Sequence, residues 1–309
     1  MIRIFLNSNN IEPFAVQSKF IGSTTVRIPE TPEDSCECIA QDCERNSYVY
    51  ADDIDTTSRR NDKTSFLFKL FSTSDTIDIK LFKDDVEIAT LNNNNYGTYY
   101  PMGSLSSGVA EQDFYVGYLL SWLDVLALHG VGQYTIKANY TQFGSPVEFT
   151  SVKYKLIRFS ESQADGSVRL VTLQNGNIES NQFNFTGMNW YQQIRFNGIL
   201  WNKQSEFIED SYFSSNRTIT QIQDQIKNTY NLQIEFVQDS VSKFIIENNL
   251  LANEILVTDY NITNTTRYTD VPLAVSEITN STELYYYNGR SHEILMTDRI
   301  QNIRKRNYG

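Results

Sequence analysis

Cys36, Cys38 and Cys43 are the only cysteines of the chain, and they fall within eight residues as C-x-C-x4-C. Thiolates this close can share a zinc ion, but a closed tetrahedral site takes four ligands. The fourth would come from Glu37, Asp42, the distant His129 or His292, or a neighbouring subunit. Paired C-x2-C knuckles would specify zinc; this spacing also suits free thiols in a loop or pairing on assembly, so no metal ligand is assigned. Asp52, Asp53 and Asp55 gather the carboxylates that a hard cation prefers. The central Gly and final Glu of an EF-hand are missing, so a solvated loop is the favoured reading of them.

Proton chemistry has little to work with. The chain holds two histidines in 309 residues, against 19 tyrosines and 18 phenylalanines, and histidine is the side chain best placed to move protons near neutral pH. His292 lies in Ser291-His292-Glu293, but the members of a catalytic triad meet in space from different elements. Gly103-Ser104-Leu105-Ser106-Ser107-Gly108 lacks the spacing of a G-x-S-x-G elbow. His129 precedes Gly130 at a helix end, where a cation suits the dipole. Among 37 acidic residues some pair will always suggest a glycosidase, and no glycine-rich phosphate loop or dinucleotide fingerprint appears. Accordingly no catalytic, cofactor-binding or metal residue is assigned, no cofactor is expected, and the chain reads as a non-enzyme.

The remaining composition agrees. Forty per cent hydrophobic and 13% aromatic residues are enough to build real cores. A net charge of −11 opposes direct nucleic-acid binding, which needs Lys and Arg to neutralise phosphates. No apolar run approaches the roughly 18 residues of a bilayer span, so membrane insertion is not expected. The opening Met-Ile-Arg-Ile-Phe-Leu is too short for a signal peptide, which predicts synthesis in a reducing cytoplasm.

The elements that must carry these residues are mainly strands. Phe66, Phe68 and Leu70, then Ile77, Ile79 and Leu81, repeat every second position. Asp84-Asp85 falls where a hairpin should turn. Residues 115–128 instead carry Tyr118, Leu119, Trp122, Val125 and Leu126 at helical spacing, stopped by Gly130. Asn175-Gly176 and Asn197-Gly198 predict two further hairpins. Ile219, Ile222 and Ile226 predict a short helix up to Tyr230, and Val241, Phe244 and Ile245 one or two helical turns. The expected fold is mainly β: two β-sandwich-like domains with one or two short helices and long loops. Domain one spans 1–160, with a long polar extension at 31–63; domain two spans 161–309, with a basic tail around Arg299, Arg304, Lys305 and Arg306.

Three segments carry a family resemblance: Gln221-Ile222-Gln223-Asp224-Gln225-Ile226-Lys227-Asn228-Thr229-Tyr230, Glu254-Ile255-Leu256-Val257-Thr258-Asp259-Tyr260-Asn261, and Arg299-Ile300-Gln301-Asn302-Ile303-Arg304-Lys305-Arg306-Asn307. The chain, mainly over 165–309, resembles structural proteins from the tails of double-stranded DNA bacteriophages, particularly those infecting Bacteroidetes. The resemblance implies a non-enzymatic virion component of the tail, baseplate or tail hub, assembled in the host cytoplasm into a symmetric ring. Its partners would be further copies of itself and neighbouring tail or baseplate proteins. Residues 31–63, the loop 92–101 with Tyr96, Tyr99 and Tyr100, and the basic tail are the expected contact arms. The rival readings are a receptor- or carbohydrate-binding module of the tail and a tail-associated glycan hydrolase.

Overall fold

The period-two alternation reports burial on one face of each strand, and the computed structural model bears it out as a mainly-β fold. The model describes residues 47–70, 76–106, 112–142, 145–151, 153–174, 177–178, 183–184, 190–213, 219–238, 242, 245–264, 268–284, 289–299 and 302–305. Strand β3 (Ile77–Lys83) buries Ile79 and Leu81 and turns into β4 (Val86–Thr90) through Asp84 and Asp85. Both aspartates have positive φ, 47° and 64°, as a two-residue hairpin of the right-handed sheet twist demands. With β1 (Ser47–Ala51), β7 (Gly132–Gln142), β8 (Ser145–Thr150) and β9 (Tyr154–Arg158), they form a six-stranded sheet in the order β1-β9-β7-β3-β4, with β8 on β7. A second sheet orders β2 (Lys63–Leu70), β6 (Gln112–Ser121) and β5 (Gly97–Ser106) as β2-β6-β5. Ile79, Leu81, Ile136 and Leu156 of the first sheet join Phe66, Tyr118 and Leu120 of the second in one core.

Helix α1 (Trp122–His129) completes that core with Trp122, Val125 and Leu126. It begins later than the spacing from residue 115 predicts. The chain up to Leu120 pairs on both sides, with β2 and with β5, and Ser121 still pairs with β2. The ladder wins until Ser121 can cap, its hydroxyl accepting from Asp124 N at 3.5 Å.

After the short helix α2 (Glu161–Ala164), the second core is enclosed rather than sandwiched. Its strands are β10 (Ser167–Gln174), β13 (Trp190–Phe213), β14 (Ile219–Gln238), β15 (Glu254–Asp259), β16 (Val271–Leu284) and β17 (Gly289–Asp298). The short pair β11 (Asn177–Ile178) and β12 (Phe183–Asn184) lies between β10 and β13. Pairing runs β13-β10-β15-β16-β17-β14, and β14 returns to β13, so the sheet closes on itself with every junction antiparallel. Val168, Leu170, Leu200, Leu232, Val257, Ile294 and Met296 share its interior, with Ile245 of a π-helical turn at Ile245–Asn249 and Leu250 just after it in the same cluster.

Several sequence expectations are corrected here. Asn197-Gly198 is not a hairpin: β13 continues through it, leaving β10 at Asn197 and taking up β14 at Gly198. A Cβ on Gly198 would sit 2.2 Å from the Gln233 carbonyl oxygen, so glycine serves close strand approach there, not a turn. The helix expected at Ile219–Tyr230 is strand β14, because β13 and its other neighbours hydrogen-bond both its edges. The polar extension expected at 31–63 is ordinary domain structure from Ser47 onward, with Val49, Tyr50, Ala51 and Asp62 fully buried. The basic tail is no free arm: β18 (Asn302–Lys305) pairs antiparallel with Gln223–Ile226 of β14, and Arg299 meets Glu254 at 3.1 Å. Cys36, Cys38, Cys43 and the rest of 31–46 lie outside the described residues.

Candidate functional site

Alternation places Arg169 of β10 and Arg195 of β13 opposite each other on the outer face of the closed sheet. That face abuts the first module, and both residues are about 1% exposed. Like charges directly across a ladder repel, so each arginine needs a carboxylate close by. Asp270 Oδ1 accepts from Arg169 Nη2 at 3.3 Å, and Asp62, itself 0% exposed, lies between the two arginines. Its Oδ1 accepts from Arg195 Nη2 at 2.6 Å and Gln193 Nε2 at 2.9 Å, with Arg169 Nη1 at 3.5 Å. Its Oδ2 accepts from the Tyr50 amide at 2.9 Å.

The backbone around Asp62 is just as fixed. Its N–H donates to Tyr50 O, and its carbonyl accepts from Trp122 N. The Arg195 guanidinium lies over the rings of Tyr50 (4.7 Å) and Tyr260 (4.4 Å). Arg169 donates to Ser58 O at 2.7 Å, and Tyr260 Oη donates to Arg59 O at 2.5 Å. Burial pushes the Tyr260 phenol above its ordinary value although Arg169 and Arg195 pull the other way. This is a lock between two modules. Both carboxylate oxygens of Asp62 are already committed as acceptors.

The candidates read from sequence find other partners. Asp52 accepts from the amides of Ile54 and Asp55 and pairs with Arg60 at 2.8 Å, which holds its carboxyl below the ordinary range. Asp53 pairs with Arg158, and Asp55 meets Arg60 at 3.0 Å. Their charges are spent on arginines; among the described residues no three His, Cys, Asp or Glu side chains gather as a metal site. His129 closes the last turn of α1 before Gly130, where the sequence places it. Lys83 Nζ donates to its carbonyl at 2.5 Å, and burial, then Lys83, lower its own pKa. Tyr96 Oη is 2.9 Å from His129 Nε2, the Tyr99 ring lies tilted beside Tyr118, and Tyr100 meets Trp190 edge-on, so these tyrosines make contacts within the chain.

His292 does meet a serine, which its sequence neighbours could not reveal. Ser242 Oγ lies 2.6 Å from His292 Nε2, both residues being about 2–3% exposed. Among the described residues His292 Nδ1 has no hydrogen-bond partner, so none of their carboxylates orients the ring as a triad requires. Burial, then Arg290, keep this imidazole's pKa low. The pair is one buried hydrogen bond between β17 and Ser242.

Accessible chemistry lies elsewhere. Past Gly198, β13 and β14 continue as a long ribbon with β18 on its other side. All residues from Trp201 to Ile208 are exposed, so both faces of β13 are open. Phe207 (59% exposed) stands directly across from Ile226 (44%). Among the described residues, no strand pairs with the outer edge of β13 beyond Asn197, and no helix is long and apolar enough to cross a membrane.

No family model matches the chain, and no curated protein matches it. Among solved structures, the chain is similar to an uncharacterized protein, lmo2446, from Listeria monocytogenes EGD-e, in complex with alpha-D-glucose, beta-D-glucose, magnesium and calcium. The identity is 7% and the TM-score 0.20, over 80% of this chain and 17% of that one. A second structure of the same protein gives 8% and 0.20 with the same coverage. The chain thus spans 17% of that protein's chain, and a likeness at this score carries no argument.

Proposed function

We propose that this chain is a non-enzymatic structural protein of a tailed phage virion, placed in the tail, baseplate or tail hub as a ring of its own copies. The observation that carries the reading is the exposed β-ribbon, an apolar Phe207–Ile226 pair on open strands beside a module that buries its polar side chains in internal contacts. A strand whose two faces and one edge are open is a ready template for another chain. The likeness of 165–309 to phage tail proteins supports the setting. The two modules supply a rigid body, and the ribbon supplies the contact.

Native mass spectrometry and light scattering of the full chain test this reading. A closed multiple of 35.7 kDa is expected. A protein that stays monomeric at high concentration would sink it.

A further inference from the structure

The two outer strands of the ribbon carry opposite charge. β13 from Trp201 to Phe213 contains Lys203 against Glu206, Glu209 and Asp210, so +1 and −3 give −2. β18 contains Arg304 and Lys305, giving +2. The stretch of β14 between them, Ile219–Thr229, contains Asp224 and Lys227, which cancel. Charge therefore runs across the ribbon from an acidic edge strand to a basic one.

We propose that the acidic β13 edge of one copy pairs with the basic β18 edge of the next, joining the ribbons into one continuous intermolecular sheet. This rests on the ring reading above and names the junction that would build the ring. The contact is head-to-tail, since two different edges meet, and head-to-tail contacts close into rings when the rotation permits. Strand direction adds a constraint. β13 and β18 both run antiparallel to β14, so they run parallel to each other. Rotation about an axis along the strands keeps that direction, and the junction between copies is then a parallel one. Opposite net charge on the two edges selects this register and opposes β13–β13 or β18–β18 pairing, where like charges would face each other.

A charge-swap series on the full chain tests the junction. One variant carries Glu206→Lys and Glu209→Lys; a second carries Arg304→Glu and Lys305→Glu; a third carries all four. Circular dichroism melts report whether each is folded, and light scattering reports its association. Each one-edged reversal should raise the dissociation constant by about tenfold or more, and the four-fold variant should recover wild-type assembly. An equimolar mixture of the two one-edged variants should also assemble, because each basic edge then finds an acidic one. Association of the unaltered chain should weaken as salt rises, which tests the charge argument without any substitution. If the wild type assembles but the reversals leave its mass unchanged, or the four-fold variant fails to recover, the edge junction is wrong and the ring reading survives. If the wild type never assembles, both are wrong.

Discussion

Arg169 and Arg195 face each other across a ladder, and Asp62, with Asp270 on Arg169, makes that placement tolerable. Removing one partner from a buried ion pair leaves the other charge without compensation, typically at about 3–5 kcal/mol. Asp62→Ala should therefore destabilise the protein by that order in urea unfolding, well beyond the loss of an exposed carboxylate such as Glu148→Ala. A loss under about 1 kcal/mol would remove the junction from the account of stability. The histidines give a second residue-scale expectation. Burial holds both imidazoles below the ordinary value of 6.5 in the folded chain. As pH falls through that value the unfolded chain takes up protons that the folded chain refuses, so stability declines on acidification and is unaffected above it. Urea midpoints at pH 7.5 and 5.5 should separate in the wild type and draw closer in His292→Gln; an unchanged separation in both His292→Gln and His129→Gln would contradict this assignment.

At the scale of elements, β13 carries the most consequence. One continuous strand leaves β10, crosses to β14 at Gly198, and runs on into the ribbon. Gly198→Ala forces a methyl against the Gln233 carbonyl. Overpacking of this kind typically costs about 1–3 kcal/mol, and here it falls on the β13–β14 pairing that closes the barrel. Thermal melts should show the loss, and amide exchange should rise first on residues 198–201 and 231–234. Exchange that rises only in the first module would point to a different cause. The same strand explains why Asn197-Gly198 reads as a hairpin in sequence. The dipeptide is permissive for a turn, but pairing on both flanks leaves no chain free to make one.

For the whole molecule, two cores share one lock. The first gathers residues from Val49 to Leu156, the second from Val168 to Met296. Asp62 belongs to the first module and its arginines to the second, so neither can lose the other without exposing or orphaning charge. Calorimetry of the full chain should accordingly give one cooperative transition rather than two, and Asp62→Ala should split or broaden it. Two resolved transitions in the wild type would show that the lock does not couple the cores. Deleting 31–63 would remove β1 and Asp62 together; the expected result is loss of the first module's fold, in place of a folded chain that merely fails to assemble.

The sequence by itself determined that strands dominate, where β3 turns into β4, and that α1 ends at Gly130, because side-chain alternation, paired aspartates and a terminal glycine act locally. It held no equivalent signal for the junction. Val168-Arg169-Leu170 and Ile194-Arg195-Phe196 each show an arginine set between core residues, a hint of a buried charge, but nothing local ties them to Asp62 in a polar stretch more than 100 residues earlier. Only tertiary structure decided that meeting, the strand identity of Ile219–Tyr230, and the pairing of β18 with β14. Each depends on hydrogen bonds to chain distant in sequence, and those contacts outweigh local spacing wherever both edges of a segment find a partner.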